Sequence, residues 1–341
     1  MKRLLKYCFL PLLLFLQFKA TGRPVSFARV DRHAASIGYF PIDVLAEKLT
    51  VPFYTDSEKV RAIFFWVTSH ISYDVVEFHN KRPMVYETKQ HFKDSTEAEA
   101  YFMTIYANDV IKKGMGVCAG YATIFKLLCD KVKINCVIVN GYGKSSFGEI
   151  GKRFDENHAW NAVQLNGNWQ LVDACWAAGY CDDAVTKFTR EQNEYFFLTP
   201  PWLFIYNHYP ADSKWTLLKT PVTREQFEHY PQWQFYNKNI IKASFTPLNG
   251  TLDAKIGDTL KIAMDLYESD SVAYPRELLF DEQDANGYQP EHEQPLKPTQ
   301  QLVRNLKKQL VYNYVVWSKT ITKISLVYSK EYLMSYKLQV H

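Results

Sequence analysis

The sequence lacks several features that would indicate common functional classes. No two cysteines stand in a Cys-x-x-Cys spacing, which argues against a structural zinc site. There are no internal repeats. Beyond the first twenty residues, no apolar run is long enough to cross a membrane as a helix. We therefore expect neither a metal nor a cofactor.

A large excess of charge is also missing. The 341 residues carry 40 Lys and Arg against 36 Asp and Glu, a formal net charge of +4. The first twenty residues contribute four basic residues and no acidic one, so the rest of the chain has a formal charge of 0 (4 minus 4). Because the excess of basic residues belongs to this N-terminal segment, we expect no nucleic-acid or anionic-membrane partner.

The N-terminus has the pattern of a secretory signal. Lys2, Arg3 and Lys6 form a positive segment, and a mostly apolar run follows over residues 8–18. This run is short for a membrane span, and the alternative is a buried N-terminal helix. We expect residues 1–20 to be a signal peptide and the mature chain to be exported, periplasmic or extracellular, without an integral membrane span.

Five cysteines would remain after cleavage, which is an odd number. In an oxidising compartment at least one thiol then stays free or pairs between chains, and catalysis is one reason for a free thiol. The five are Cys118, Cys129, Cys136, Cys175 and Cys181.

The length exceeds what one core usually needs, so two domains are expected. Residues 21–238 contain both helical and strand patterns, and residues 239–341 alternate in the manner of a β-sandwich-like module. The predicted helices are 55–72, with a capping box at Thr55 and Glu58, 98–113 and 118–128. The predicted strands include 134–142, 157–165, 168–175, 310–317 and 324–328, and the polar segment 281–299 is expected to be a loop.

Cys118 stands where a helix begins. The preceding glycines break the helix before it, so the unpaired N–H groups and dipole of the new helix favour the thiolate. The small neighbours Gly116, Ala119 and Gly120 leave room for a substrate backbone. The alternative is that Cys118 is a small apolar residue buried in a helix.

A predicted hairpin brings a histidine and a carboxylate together. The turn between strands 157–165 and 168–175 is Asn-Gly, so Leu165 opposes Asn168. Continued along the ladder, this register places His158 opposite Cys175 and makes Asp173 its diagonal neighbour. The alternative is a structural strand histidine beside a surface aspartate.

These positions fit the roles of a thiol catalyst. His158 would take the thiol proton and later protonate the leaving group, and Asp173 would orient the imidazole. The backbone N–H of Cys118 would stabilise the oxyanion. For a second oxyanion donor the candidates are Trp66, Tyr73 and Tyr106.

The motifs around these residues resemble those of the transglutaminase-like superfamily. The similarity extends from residue 57 to about 218 and includes the leading helix, 60–74. Gly-Val-Cys-Ala-Gly-Tyr-Ala (116–122) is similar to the nucleophile motif, Asn-His-Ala-Trp-Asn-Ala-Val (157–163) to the base motif, and Leu-Val-Asp-Ala-Cys-Trp (171–176) to the third motif. Residues 141–144 and 196–201 further resemble the branch that includes kyphoscoliosis-type peptidases.

The resemblance implies an α+β fold: a papain-like core with an antiparallel sheet, followed here by the all-β C-terminal module. It also implies a Cys118-His158-Asp173 triad that transfers or hydrolyses peptide or carboxamide bonds through a thioester, with a peptide or protein substrate. The C-terminal module could contact substrate or a cell-envelope partner. The alternative function is a catalytically silent domain that acts as a binding or scaffolding module.

Cys175 departs from the family pattern, in which a small residue without a thiol precedes the tryptophan of the third motif. The predicted register places its thiol beside His158. A Cys118–Cys175 or Cys175–Cys181 disulfide would then be possible, and the first would silence an enzyme. The alternative is that Cys175 is a small packing residue.

Overall fold

The computed structural model describes residues 27–80, 88, 91–234, 243–267, 278–287, 299–303, 307–328 and 331–341. The predicted signal peptide, residues 1–20, lies outside them. Within the described residues, no helix combines the length and the apolar character that crossing a membrane requires.

The helices of the described residues belong mainly to the N-terminal two thirds. Thr55 and Glu58 form the predicted capping box at the start of α3, and Gly114 ends α5 in a left-handed conformation at φ +65°. The helices are α1 (Ala28–Ala35), α2 (Ile42–Thr50), α3 (Asp56–His70), α4 (Val75–Asn80), α5 (Ser95–Lys113), α6 (Cys118–Lys131), α7 (Ala174–Ala178), α8 (Pro201–Phe204) and α9 (Arg224–His229).

The strands form separate sheets in the two parts of the chain. In the N-terminal part they are β1 (Ser72–Tyr73), β2 (Met115–Gly116), β3 (Cys136–Gly143), β4 (His158–Leu165), β5 (Asn168–Val172), β6 (Gly179–Cys181), β7 (Phe188–Arg190), β8 (His208–Pro210) and β9 (Gln232–Trp233). In the C-terminal part they are β10 (Ala243–Thr246), β11 (Thr251–Ala254), β12 (Thr259–Tyr267), β13 (Leu278–Asp284), β14 (Thr299–Val303), β15 (Lys307–Val315), β16 (Ile321–Tyr328) and β17 (Glu331–Val340).

The sheet that carries the site has the antiparallel order β5-β4-β3-β8. Helix α6 packs on it, and the buried Asn161 of β4 donates to the carbonyl of Ala122 at 3.0 Å. Gly141 of β3 allows β8 to approach, since a β-carbon there would lie 2.3 Å from the carbonyl oxygen of Tyr209. The predicted α+β fold with an antiparallel sheet is confirmed.

The Asn-Gly hairpin has the predicted register at its turn but not at its far end. Asn166 and Gly167 both have positive φ, and Leu165 pairs with Asn168. However, β5 ends at Val172 and Asp173 caps α7, so the predicted opposition of His158 and Cys175 is wrong. The Asp173 carboxylate accepts backbone N–H groups of the next turn, and this N-cap replaces the three further rungs of the predicted ladder.

The C-terminal part consists of many strands, as predicted. The described strands form one sheet in the order β10-β12-β15-β14 and another in the order β11-β17-β16-β13. Phe280 of the second sheet meets Tyr314 of the first at a ring distance of 5.2 Å, so the sheets share a core. The prediction of a loop from residue 281 is wrong for its first residues, which continue β13. Their polar groups have partners: buried Glu282 accepts from the Trp317 indole at 2.8 Å.

The two parts of the chain are connected by strand pairing as well as by the covalent backbone. Strand β9, which precedes residue 238, pairs with β17 in the second C-terminal sheet. The Phe245 N–H donates to the Tyr206 hydroxyl at 3.2 Å, and the Lys337 ammonium donates to the Ile150 carbonyl.

Candidate active site

Cys118 is the first residue of α6, and its side chain is partly buried. At this position its backbone N–H has no acceptor within the helix. Gly116 and Gly120 pack against α5, so the prediction that they leave room for a substrate is wrong, whereas Ala119 is exposed. A β-carbon on Gly116 would lie 2.8 Å from Val110 of α5, and one on Gly120 would lie 3.2 Å from the same side chain.

His158 opens β4 and lies between Cys118 and Asp173. Its Nε2 is 2.7 Å from Asp173 Oδ2, which leaves Nδ1 as the ring nitrogen available to the sulfur. The ring stacks at a tilt on Trp176, with 5.1 Å between centroids. The imidazole and the thiol of Cys118 lie close enough for each to shift the pKa of the other. The structure therefore brings together the three residues named from the sequence.

The electrostatics of the site favour a thiolate and an imidazolium. Burial alone would raise the pKa of the Cys118 thiol, but the hydrogen bond and charge of His158 outweigh burial and lower that pKa. Burial would likewise lower the pKa of His158, yet Asp173 and Cys118 raise it to about 10. Burial opposes ionisation of Asp173, but the two imidazoles beside it hold its pKa well below the usual range. The site therefore stabilises its nucleophile in the reactive form.

Asp173 is completely buried and accepts four hydrogen bonds from described residues. Oδ1 accepts the backbone N–H groups of Cys175 at 2.8 Å and Trp176 at 3.0 Å. Oδ2 accepts from His158 and, at 2.9 Å, from Nε2 of His208. Sequence reasoning missed His208, because the pairing of β8 with β3 spans some 65 residues and no motif spacing marks it.

Comparison with known proteins identifies the part of the chain that contains Cys118, His158 and Asp173. Residues 43–174 match the family model described as the transglutaminase-like superfamily. The chain contains a transglutaminase-like domain. The predicted resemblance to the superfamily and to its kyphoscoliosis-type branch is confirmed.

Curated relatives match more than half of the chain. Kyphoscoliosis peptidase of Homo sapiens is 36% identical over 222 residues, which is 64% of this chain and 31% of the relative. Hillarin of Drosophila melanogaster is 30% identical over 231 residues, 63% of this chain and 26% of the relative. The chain thus spans about a third or less of the length of these relatives.

Solved structures also align with parts of the chain. One described as a TGase is 16% identical, covers 51% of this chain and 37% of its own, and has a TM-score of 0.27. A putative cysteine protease from Cytophaga hutchinsonii is 20% identical, covers 43% and 42%, and has a TM-score of 0.26.

One group among the described residues has the donor types of a metal site, namely His158, Asp173 and His208. However, the nitrogens lie 2.7 and 2.9 Å from the same carboxylate oxygen, which are hydrogen-bond distances. Two ligands about 2.0–2.2 Å from a tetrahedral zinc ion are separated by more than 3 Å. The three residues therefore do not fit a metal in this arrangement, and their short contacts are those of a hydrogen-bonded network.

The three aromatic candidates for the second oxyanion donor have different surroundings. The indole of Trp66 is buried and donates to the Ile37 carbonyl at 2.9 Å, so it is not available. Tyr106 is packed against Gly120 of α6, with its hydroxyl 3.3 Å from a β-carbon position on that residue. Tyr73 pairs with Gly116 in the short parallel β1–β2 ladder, two residues before Cys118.

The five cysteines of the described chain are all free thiols. Cys175 is buried in α7, and burial raises its pKa well above the usual value. Cys181 is partly exposed on β6, and burial also raises its pKa. Among these three thiols of the transglutaminase-like domain, Cys118 alone has a lowered pKa.

Proposed function

We propose that this chain is a thiol enzyme that breaks peptide or carboxamide bonds through a thioester on Cys118. The observation that carries the proposal is the grouping of Cys118, His158 and Asp173, with His158 Nε2 2.7 Å from Asp173 Oδ2. In this grouping the thiol has a lowered pKa and the imidazole a raised one. This combination is what nucleophilic catalysis by cysteine requires.

The reaction begins with the thiolate of Cys118 and the imidazolium of His158. The sulfur attacks the carbonyl carbon, and the carbonyl electron pair moves onto oxygen to give a tetrahedral oxyanion. As the oxyanion collapses, the C–N bond breaks, the imidazolium gives its proton to the departing nitrogen, and a thioester remains. Water or an amine then attacks the thioester while His158 accepts the proton, which releases an acid or a new amide. Asp173 holds the imidazole in the tautomer that these transfers need.

Two groups are proposed to bind the oxyanion. The first is the backbone N–H of Cys118, which has no acceptor in α6 and lies at the positive end of the helix dipole. The second is the hydroxyl of Tyr73, for which the described residues provide no hydrogen-bond partner. Burial, followed by the charges of Cys175, Cys118 and Cys181, raises the pKa of Tyr73, so its hydroxyl keeps its proton as a donor should.

The first experiment separates an enzyme from a catalytically silent module. Cys118→Ala and Cys181→Ala are compared in labelling by a small thiol-reactive probe near pH 6. Cys181 is the matched control, because it is also partly exposed but has a raised pKa. We expect labelling to vanish in Cys118→Ala and to persist in Cys181→Ala. Equal labelling of wild type and Cys118→Ala would contradict the proposal.

The second experiment addresses the reaction itself. Peptides and carboxamides are screened as acyl donors, with and without an added primary amine, and the products are identified by mass spectrometry. An acid product indicates hydrolysis, and a product joined to the amine indicates transfer. Turnover that survives in Cys118→Ala would reject the assignment of the nucleophile.

We also propose that the chain is exported after removal of residues 1–20, on the strength of the basic segment and the apolar run there. The substrate is then a peptide or protein outside the cytoplasm, and the C-terminal sheets are a surface for substrate or for a partner in the cell envelope. N-terminal sequencing of the protein recovered from the periplasm or medium tests this. Recovery of the full-length chain in the cytoplasm would contradict it.

A further inference from the structure

His208 is a buried titratable residue for which the three-residue mechanism has no role. It lies on β8, and its side chain is completely enclosed. Its Nε2 is 2.9 Å from Asp173 Oδ2, the same oxygen that His158 contacts at 2.7 Å. One carboxylate oxygen therefore serves two imidazoles.

The His208 ring is held from several sides. Phe204 stacks on it with 4.0 Å between centroids, Trp176 lies at 4.4 Å and Trp160 meets it edge-on at 5.1 Å. The backbone of His208 pairs with Gly143 of β3. These contacts fix both the position and the plane of the imidazole.

The surroundings also determine which nitrogen carries the proton. Nδ1 is buried without a hydrogen-bond partner among the described residues, whereas Nε2 points at a carboxylate oxygen. A buried N–H without an acceptor is costly, so the proton belongs on Nε2, where it is donated to Asp173.

His208 remains uncharged at neutral pH. Burial lowers its pKa to about 4, although Asp173 acts in the opposite direction and His158 adds to the lowering. The titratable groups that face this network are Asp173, His158 and the thiols of Cys118 and Cys175. Lys144 directly follows β3. Its ammonium donates to the carbonyls of Phe227, in α9, and of Tyr230, just after α9. A neutral donor can share the carboxylate without adding a second positive charge beside the imidazolium.

We propose that His208 is a positioning residue, a neutral imidazole that holds Asp173 Oδ2 in place and shares that oxygen with His158. The role rests on the proposed function, because it matters for the reaction only if His158 is the base. Without His208, Oδ2 would bind His158 alone, and the carboxylate would be held by three hydrogen bonds instead of four. The expected result is a more strongly stabilised imidazolium that is less well aligned with the sulfur.

The test compares His208→Phe, which removes the donor and keeps a flat ring, with His208→Gln, whose amide can donate in place of Nε2. The rate of alkylation of Cys118 by iodoacetamide is measured against pH, with circular dichroism as the check of folding. We expect the apparent pKa of the alkaline limb to be higher by about half to one pH unit in His208→Phe, a shift that corresponds to the free energy of one hydrogen bond. His208→Gln should return it toward wild type. With an acyl donor, kcat should fall about tenfold in His208→Phe while KM changes little.

If His208→Phe folds and has the pH profile and kcat of wild type, the proposal is overturned. A residue that only packs would leave the pH of the alkaline limb unchanged. If that variant does not fold, nuclear magnetic resonance of the histidine nitrogens in wild type decides. We expect His208 as the neutral Nε2–H tautomer from pH 5.5 to 9, and an Nδ1–H tautomer or a charged ring in that range would overturn the role. A failure of the proposed function looks different, because Cys118 would then alkylate no faster than Cys181 in wild type.

Discussion

Replacement of Asp173 by asparagine tests the network at its centre. Asparagine keeps the oxygen that accepts from Cys175 at 2.8 Å and Trp176 at 3.0 Å, so the cap of α7 and the fold should survive. An amide NH₂ group, however, replaces Oδ2 and faces the N–H groups of His158 and His208. To avoid two opposed donors, His158 must move its proton to Nδ1. That nitrogen then donates toward the sulfur and cannot take a proton from it.

The size of the effect follows from the electrostatics. Asp173 and Cys118 together raise the pKa of His158 from 6.5 to about 10 against the opposing effect of burial. This change corresponds to about 5 kcal/mol in favour of the imidazolium. With the carboxylate gone, burial is no longer opposed by that charge, so we expect the His158 pKa to fall to 6.5 or below. Loss of the imidazolium and of the correct tautomer should together lower kcat roughly 10³–10⁴-fold at pH 7.5.

The measurement is the pH dependence of Cys118 alkylation and of kcat in wild type and Asp173→Asn. The profile of wild type should have its alkaline limb near pH 10, where His158 loses its proton. In the variant the alkaline limb should lie at pH 7 or below. Asp182→Asn is the matched control, because Asp182 is an exposed aspartate that caps the turn at Thr186. A folded Asp173→Asn whose alkaline limb remains near pH 10 would refute the proposed role of the carboxylate.

Three further predictions concern residues around the network. Burial lowers the pKa of the Lys144 ammonium to about 7, so the unfolded chain binds more protons than the folded one between pH 7 and about 10, and stability should rise with pH there. Between pH 7 and 9 the free energy of unfolding should increase by about 2 kcal/mol because of Lys144. Urea titration should show this increase in wild type but not in Lys144→Met, and the same pH dependence in both would contradict the prediction. Tyr73→Phe should lower kcat about 10²-fold with little change in KM. The control is Tyr121→Phe, which removes a hydroxyl that donates to the Ile71 carbonyl at 2.7 Å and should therefore lower stability instead. Equal kcat in Tyr73→Phe and wild type would reject Tyr73 as the second oxyanion donor. Cys175→Ser should leave both activity and sensitivity to mild oxidants unchanged, because this thiol is buried and its pKa is raised; relief of oxidative inhibition in Cys175→Ser would show the opposite.

The parts of the fold that depend on local sequence were predictable. The capping box at Thr55, the helix that begins at Cys118 and the Asn-Gly turn each depend on neighbours within a few residues, and each is present. The meeting of Cys118, His158 and Asp173 was expected from the order of three motifs. In these places local propensity and the fold agree.

The incorrect predictions concern residues whose local sequence is compatible with two conformations. Asp173 could continue a strand or cap a helix, and the cap prevailed, so Cys175 lies in α7 and not opposite His158. Residues 281–284 are polar, but partners such as Trp317 and Tyr332 satisfy them within the sheet. His208 was not predictable, because its contact with Asp173 depends on how a distant strand pairs.

The pairing of β9 with β17 limits how the chain can be divided into fragments. Asn207, the neighbour of His208, donates to the Trp233 carbonyl at 3.2 Å, and Trp233 pairs with Met334 near the end of the chain. A fragment that stops at residue 238 keeps every proposed catalytic residue but leaves β9 without the strand beside it and removes the contact of the Trp233 ring with Phe245. Shortening the C-terminus should therefore loosen the backbone that holds His208, although β17 belongs to a different sheet from the site.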